Sequence, residues 1–462
     1  MVTLGIDRIE EAQFASVLKQ SRIGLVTNAS GLSPRYGYRG TVEVMASRYK
    51  VTALFAPEHG VRGVLGPGEK VSHGVDALSG IPTYSLFEDM VFAGADDAAT
   101  DKAYMPDPTM LSDIDLLVFD MQDVGSRYFT YASTLFYTMR AAAAYGLPLW
   151  VLDRPNPLGG EIVEGCRQDE SCRSFIGLAR VPIRHGLTMG ELARYYNGAY
   201  HLGCDLTVVP MEGWNRAMLW QDCGLPFVRP SPNLPTPESI LIYNGTCMLA
   251  GTNATEGRGT TTPFTTVGAP YVNALELADA LDSLNLDGLR FSPTHFIPAF
   301  SKYQGEVCGG VDIHVTDPHS LRAVAFGLHL IRTLQALYPT NFAFREPAGG
   351  RWHIDLSTGN IPSVPPKSLP PRFSRRGRPM PLHSKKRPFP TAYTEPTERK
   401  NHHAKVRYCG LHLALLHRQR IPLPSVLARR HRRVADRHER PLPYAPEARR
   451  LRMGSQASLG LL

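Results

Sequence analysis

Short apolar runs alternate with helix-like segments along the first 340 residues. Four of the runs, at residues 22–28, 51–57, 114–120 and 147–153, have the length of a strand and end in polar residues. Continuous apolar runs of this length are typical of strands that are buried on both faces of a parallel sheet. Because helix-like segments such as 131–145 lie between them, the pattern predicts a doubly wound α/β fold.

A second set of elements predicts a smaller α/β part after the first. Its predicted elements are a helix over 189–200 with Thr188 as N-cap, a strand over 206–211, a helix over 274–285, a strand over 311–315, and a helix from Asp317 to about Tyr338. We therefore divide the chain into a first subdomain over 1–180, a second over 181–360, and a remaining segment over 361–462.

The charge changes sign between the body and the last hundred residues. Residues 361–462 hold 23 Lys and Arg against 5 Asp and Glu, a net charge of +18, whereas the first 360 residues hold 27 against 37, a net charge of −10. The segment is also rich in Pro and has no hydrophobic periodicity. It cannot bury enough apolar surface to order itself, which predicts disorder.

Two interpretations of this segment stay open. A basic disordered tail could bind nucleic acid or anionic lipid. Alternatively, the segment is an out-of-frame translation of a GC-rich gene, and we favour this because the change falls inside a folding unit. The acidic body itself gives no reason to expect a nucleic acid as its ligand.

Composition also bears on the compartment. The chain has no apolar run long enough to span a membrane and no secretion signal at its start, which predicts a cytoplasmic protein, or a periplasmic or secreted one if the true start lies upstream. The seven cysteines are odd in number and form no C-x-x-C pair, so they suit a reducing compartment. The sequence leaves the oligomeric state open.

Polar side chains cluster where the four predicted strands end. They are Asn28, Glu58, His59, Asp120, Asp123, Asp153, Arg154 and Asn156. In doubly wound sheets the ligand crevice lies outside the carboxyl ends of the strands. This placement predicts a site that combines acids, amides and arginines.

Individual side chains have alternative interpretations. Glu58 could act as a general acid, or it could pair with Arg62 or cap a turn. Asp120 and Asp123 could orient a water, bind sugar hydroxyls, hold a metal, or only cap loops. His185 could bind substrate or be a core residue with satisfied hydrogen bonds.

Basic side chains could together bind a carboxylate on the substrate. The candidates are Arg62, Arg127, Arg184 and Arg258. Arg258 belongs to the string Glu256-Gly-Arg-Gly-Thr260, whose glycines let backbone approach a ligand. The chain lacks G-x-G-x-x-G after its first strand, H-E-x-x-H and G-x-S-x-G, so no cofactor or metal is expected.

Six strings occur in an order that resembles a known bacterial family. They lie at residues 56–63, 119–131, 153–160, 182–193, 230–236 and 251–260, and the likeness runs from about Gly5 to about Gly359. Together they resemble the NamZ-type exo-β-N-acetylmuramidases. The family's aromatic-rich closing segment is not recognisable after Gly359.

The resemblance implies a Rossmann-like first subdomain, a smaller α/β second subdomain and a cleft between them. It implies release of terminal N-acetylmuramic acid from the non-reducing end of peptidoglycan-derived chains, so muropeptides or disaccharides are the expected partners. Glu58 matches the catalytic glutamate, with His59 and Asp120 beside it. The residues expected to contact substrate are Arg62, Asp123, Arg127, Asp153, Arg154, Asn156, His185, Glu256 and Arg258.

Two other functions remain as alternatives. A chain with an altered cleft could bind muropeptides without turning them over. A chain whose basic tail is genuine could bind nucleic acid through it.

Overall fold

The computed structural model of the chain describes residues 1–87, 103–345 and 351–359. The segment 361–462, which the sequence predicts to be disordered or frameshifted, lies outside these residues. Within the described part of the chain, no helix has the length and hydropathy that a membrane span requires.

Three sheets are described, and their strands are numbered in chain order. The strands are β1 (Ile23–Thr27), β2 (Leu32–Ser33), β3 (Arg39–Gly40), β4 (Val51–Ala56), β5 (Gly74–Val75), β6 (Pro82–Ser85), β7 (Leu116–Asp120), β8 (Leu149–Leu152), β9 (Leu206–Val209), β10 (Thr266–Ala269), β11 (Leu289–Phe296) and β12 (Cys308–Val315). The helices are α1 (Ala12–Gln20), α2 (Thr41–Ala46), α3 (Pro108–Leu111), α4 (Tyr131–Tyr145), α5 (Met189–Ala199), α6 (Pro237–Thr246), α7 (Ala274–Asp282), α8 (Ala323–Leu337) and α9 (His353–Thr358).

The large sheet has seven strands in the order β5-β6-β4-β1-β7-β8-β9. Every pair is parallel except the edge pair of β5 and β6. The central strands β1 and β7 are buried along their whole length, as continuous apolar runs require. The six strands from β6 to β9 have the Rossmann order 3-2-1-4-5-6, so the predicted α/β class with a Rossmann-like first part is confirmed.

The order of the strands reverses between β1 and β7. These two strands run side by side, and Thr27 at the end of β1 pairs with Asp120 at the end of β7. Ligands of such sheets bind in the crevice that this reversal opens beyond the carboxyl ends of the strands. The side chains that follow β1, β4, β7 and β8 therefore converge on one edge.

Helix α4 covers the sheet over the predicted range, and its first residues lie next to Glu58. It ends at Gly146, whose φ of 65° supplies the left-handed C-cap. Helix α5 begins at the predicted N-cap Thr188, which forms a capping box with Glu191.

The large sheet continues past residue 180, where the sequence predicted the first subdomain to end. Helix α5 brings the chain back to the sheet edge, and β9 pairs in parallel with β8 from Leu149↔Leu206 to Leu152↔Val209. Its hydrogen bonding thus joins residues on both sides of the predicted boundary.

The second part is built on an antiparallel sheet in the order β10-β12-β11, packed against α7. Phe326 of α8 stacks on Phe291 of β11. Strand β12 begins at Cys308, three residues before the predicted strand. A Cβ on Gly309 or Gly310 would lie 2.2 Å from the Val272 carbonyl or 2.0 Å from the Val267 carbonyl. These glycines weaken the strand pattern in the sequence, but the close approach of backbone requires them.

The helix predicted to start at Asp317 begins six residues later, at Ala323. The Asp317 carboxylate accepts a hydrogen bond from the His319 amide at 3.0 Å and so closes a turn. Asp at this position is equally compatible with a turn and with a helix N-cap.

Helices α6 and α8 touch through two glycines. A Cβ on Gly327 would lie 2.4 Å from the Gly245 carbonyl oxygen, and a Cβ on Gly245 would lie 2.1 Å from the Ala323 carbonyl oxygen. Backbone therefore packs directly on backbone at this crossing, which leaves no room for a methyl group.

Replacing Gly327 by Ala should lower the free energy of unfolding by about 1–3 kcal/mol, because the added methyl forces the helices apart. The measurement is urea unfolding followed by circular dichroism. The control is Gly198→Ala in α5, where an added Cβ meets nothing within 4 Å. That variant should gain stability, because Ala favours a helix over Gly by up to about 1 kcal/mol. Equal behaviour of the two variants would contradict this account of the crossing.

Candidate active site

Glu58 is an acid at the edge of the large sheet that neutral donors hold in place. It lies two residues beyond β4 and is half-buried. Its Oε1 accepts a hydrogen bond from the Gly68 amide at 2.8 Å, and its Oε2 accepts one from the Thr130 hydroxyl at 2.6 Å. Both donors are neutral, and among the described residues Glu58 forms no ion pair. They fix the direction of the carboxyl group without neutralising a charge.

Arg62, which could have paired with Glu58, binds two other carboxylates. Its Nε and Nη2 donate to Asp76 at 2.8 and 2.6 Å, and its Nη1 donates to Glu43 at 2.6 Å. The Arg62 guanidinium holds the pKa of Asp76 well below its usual range. The structure thus places Arg62 in an ion-pair network and not opposite Glu58.

His59 stabilises the loop that carries Glu58. Its φ is 73°, a left-handed conformation that a side chain with a Cβ rarely adopts. The ring is buried, and its Nδ1 lies 2.9 Å from the Leu65 carbonyl. Because a carbonyl only accepts, Nδ1 carries the proton. His59 therefore fixes the turn next to the candidate acid.

Asp120 is fully buried in a bidentate ion pair with Arg154. The Nε and Nη2 atoms of Arg154 donate to its two oxygens at 2.5 and 2.9 Å, and the Thr41 hydroxyl donates to Oδ2 as well. Arg154 also donates to the Leu32 carbonyl at 3.0 Å. Every strong contact of the Asp120 carboxylate is used inside the protein, so the structure supports a structural role for it.

Asp153 and Asn156 form hydrogen bonds with backbone groups of neighbouring segments. Asp153 accepts hydrogen bonds from the Gly190 amide at 2.8 Å and the Thr188 hydroxyl at 3.0 Å, so it anchors the first turn of α5. Burial raises the pKa of Asp153 to about 6. The side-chain amide of Asn156 accepts a hydrogen bond from the Leu158 backbone amide and donates one to the Leu187 carbonyl.

Arg127 binds carbonyl groups. It is buried, and it donates to Cys166 and Val181 at 2.7 and 2.8 Å and to Ser357 at 3.0 Å. Since Ser357 belongs to α9, Arg127 fastens the last described helix to the first part of the chain. Burial lowers the pKa of Arg127 to about 10. Arg184 is also buried, 3.4 Å from Glu164.

Asp123 and His185 form a buried pair with unused hydrogen-bonding capacity. Asp123 Oδ2 accepts from the Gly125 amide at 2.8 Å and lies 3.8 Å from His185 Nε2. Asp123 Oδ1 and His185 Nε2 have no hydrogen-bond partner among the described residues. Burial raises the pKa of Asp123 to about 7 and lowers that of His185 to about 4. Buried polar atoms are normally hydrogen-bonded, so these two atoms can bind a further polar group.

Glu256 lies between two cations from the second part of the chain. It is buried, with Oε1 2.9 Å from Arg258 Nε and Oε2 3.0 Å from Lys302 Nζ. Burial would raise the pKa of Glu256, but Lys302 and Arg258 outweigh burial and hold it below its ordinary value. Glu256 is therefore a charged group that positions its two partners.

Arg258 keeps its terminal nitrogens available. Its Nε faces Glu256, and its guanidinium lies over the Phe264 ring, 5.2 Å from the centroid. Its two Nη atoms form no hydrogen bond within the described part of the chain. Burial opposes the charge of Arg258, but its pKa is raised, chiefly by Glu256 and to a smaller extent by Glu58. Arg258 is the predicted arginine that the structure leaves suited to bind an anion beside Glu58.

The Tyr131 phenol lies near both candidate acids. Its pKa is well above the ordinary value, because of burial first and then the charges of Glu58 and Asp123. Its hydroxyl donates to the Pro230 carbonyl at 2.5 Å. The charges of Glu58 and Asp123 thus both act on the Tyr131 phenol at the first turn of α4. The charge of Glu58 also acts on Arg258 from the second part of the chain.

Two family models match successive parts of the chain. The model for the N-terminal part of the exo-β-N-acetylmuramidase NamZ matches residues 23–238, and the model for its C-terminal part matches residues 241–362. The chain belongs to the NamZ family. The NamZ N-terminal match includes β9 of the large sheet, and the C-terminal match includes the antiparallel sheet.

A curated relative and two solved structures agree with this family. The peptidoglycan β-N-acetylmuramidase NamZ of Bacillus subtilis is 44% identical over 359 residues, which are 76% of this chain and 83% of the relative. A DUF1343-family protein from Bacteroides fragilis is 35% identical with a TM-score of 0.69, and a second one from that organism is 26% identical with a TM-score of 0.58. Each alignment covers 78% of this chain and 89% of the solved structure.

Sequence reasoning missed three residues of this site. Thr130 orients Glu58, the Tyr131 phenol lies near both carboxylates, and Lys302 neutralises Glu256. Thr130 and Tyr131 end the string at 119–131, so their place beside a strand end was a usable signal. Lys302 gave none, because it reaches Glu256 from a loop more than forty residues later in the chain.

Replacing Asp120 by Asn should destabilise the protein by about 3–5 kcal/mol, because it leaves the buried charge of Arg154 uncompensated. Thermal unfolding measures the effect. The control is Asp113→Asn, which removes a carboxylate 67% exposed in its pair with Arg22 and should change stability little. A stable D120N protein that has lost activity would instead assign Asp120 to the chemistry.

Proposed function

We propose that the chain removes terminal N-acetylmuramic acid from the non-reducing end of peptidoglycan-derived chains, with Glu58 as the general acid. The observation that carries the proposal is the Glu58 carboxyl group, held by the Thr130 hydroxyl and the Gly68 amide and left without an ion pair. Among the predicted acids, Asp120 and Glu256 are neutralised by basic partners. Family membership supports glycoside hydrolysis as the reaction.

Arg258 accounts for the choice of sugar. N-acetylmuramic acid differs from N-acetylglucosamine by a lactyl ether that carries a carboxylate. A guanidinium with two free Nη atoms can bind a carboxylate through two parallel hydrogen bonds. Glu256 and Phe264 hold the guanidinium from the other sides, so little side-chain freedom is lost when the anion binds.

The reaction uses the groups on this edge of the sheet. Glu58 donates its proton to the glycosidic oxygen as the bond to the anomeric carbon breaks, and water adds to that carbon. Because α4 supplies Thr130, the orientation of the acid depends on the helix that packs on the sheet.

Replacing Glu58 by Gln should lower turnover of a natural disaccharide by about 10²–10⁴-fold. Turnover of nitrophenyl β-N-acetylmuramide should fall much less, because the nitrophenolate leaving group departs without full protonation. Comparing kcat/KM on the two substrates tests the role directly. An equal loss on both substrates would show that Glu58 does not act as the acid.

Replacing Arg258 by Met should raise KM for nitrophenyl N-acetylmuramide by about tenfold or more, since a hydrogen bond to a charged group contributes about 1.5–3 kcal/mol. The slow hydrolysis of nitrophenyl N-acetylglucosaminide should not change, because it lacks the lactyl carboxylate. The matched control is Arg216→Met, which removes an arginine 47% exposed in its pair with Glu191. A loss on both sugars would contradict selection through the carboxylate.

A muropeptide-binding protein without activity is the alternative function. It predicts tight binding of the disaccharide with no release of sugar by the unaltered chain, and the same assays decide between the two.

A further inference from the structure

The buried pair Asp123–His185 combines a hydrogen-bond acceptor and a donor that have no partner among the described residues. The backbone amide of Leu187 donates to His185 Nδ1 at 3.1 Å, so Nδ1 bears no proton and the neutral ring carries its hydrogen on Nε2. That Nε2–H group faces Asp123, whose Oδ2 is 3.8 Å away. This distance is too long for a hydrogen bond between the two side chains.

Both side chains are nearly closed off from solvent. The side chain of Asp123 is 6% exposed and that of His185 is 1% exposed. Asp123 Oδ1 and His185 Nε2 nevertheless lack a hydrogen-bond partner among the described residues. Leaving two buried polar atoms unpaired is costly, so the arrangement suits a small polar group that pairs with both of them.

The chemistry of this group follows from the pair. An oxygen between a donor and an acceptor must accept one hydrogen bond and donate another. Water or a hydroxyl group does both with a single atom. The N–H and C=O groups of a trans amide point in opposite directions, so a side-by-side donor and acceptor do not suit it.

The pair belongs to the same edge of the large sheet as Glu58. Asp123 follows β7 at the point where the strand order reverses, and Glu58 follows β4 at that edge. After burial, which is the main cause, the charges of both carboxylates raise the pKa of the Tyr131 phenol. Two carboxylates from two different strands therefore lie near one ring.

We propose, resting on the proposed function, that Asp123 and His185 hold the attacking water and that Asp123 is the general base of the hydrolysis. Asp123 takes one proton from the water while the water oxygen forms a bond to the anomeric carbon. The bond from that carbon to the leaving oxygen breaks, and Glu58 gives its proton to the leaving oxygen. His185 donates to the water oxygen and orients it.

The protonation states suit these roles. Burial raises the pKa of Asp123 to about 7, which makes it a stronger base than an ordinary carboxylate while part of it is ionised at neutral pH. Burial, followed by the nearby charge of Arg127, lowers the pKa of His185 to about 4. The imidazole is therefore neutral at pH 7 and keeps the tautomer that donates from Nε2.

The first test uses the unaltered protein. A single displacement by water inverts the anomeric centre, so proton NMR during hydrolysis of nitrophenyl β-N-acetylmuramide should show the α-anomer of the free sugar first. First appearance of the β-anomer would overturn the proposal, because it requires a covalent or substrate-assisted intermediate. No release of sugar at all would refute the proposed function instead.

The second test replaces Asp123 by Asn, with folding checked by circular dichroism. Hydrolysis should fall by at least about a hundredfold. Sodium azide should restore turnover and yield the α-glycosyl azide, because the azide anion attacks without a base. The matched control Asp113→Asn makes the same change in a carboxylate that is 67% exposed in its pair with Arg22, and it should not become azide-dependent.

Two outcomes of this variant would overturn the proposal. Activity of D123N close to that of the unaltered protein would exclude Asp123 as the base. The second outcome is a loss of activity that azide does not restore, together with a KM raised above that of the unaltered protein. If the two proteins then have the same KM for a substrate that lacks one ring hydroxyl, the pair binds that sugar hydroxyl and not the water.

Discussion

The buried ion pair between Asp120 and Arg154 is the interaction on which the site depends. It joins the end of β7 to the segment after β8, and through Thr41 and the Leu32 carbonyl it also joins the segment after β1. Three strand ends at the reversal of the sheet order are thus fixed to one another. A buried pair of this kind contributes to a unique arrangement more than to net stability, because removing both charges from water is costly.

That fixed edge explains why most of the polar residues in the family strings are not free to react. Asp153, Asn156 and Arg127 satisfy backbone groups, and Arg62 binds two carboxylates. They hold the loops from which Glu58, Asp123 and Arg258 extend. The reactive groups are few because the others are engaged in keeping these loops in position, as a preorganised site requires.

The sequence predicted the large sheet well because its strands are buried on both faces and read as continuous apolar runs. It predicted β12 poorly, because Gly309 and Gly310 are required by close backbone contacts that no local pattern records. Glu58 was identified from its place after a strand. Which of the arginines stays free could not be predicted, since the partners of Arg62 and Arg127 come from distant segments. Likewise, the unpaired atoms of Asp123 and His185 become visible only when all hydrogen bonds are counted.

The central claim is that the cleft recognises N-acetylmuramic acid at the non-reducing end. The most direct measurement offers the protein two disaccharides of the same composition and opposite order, and follows the products by mass spectrometry. Release of both monosaccharides is expected when N-acetylmuramic acid is at the non-reducing end, and far slower release when N-acetylglucosamine is there. Cleavage of both disaccharides at similar rates, or only of the second, would contradict it.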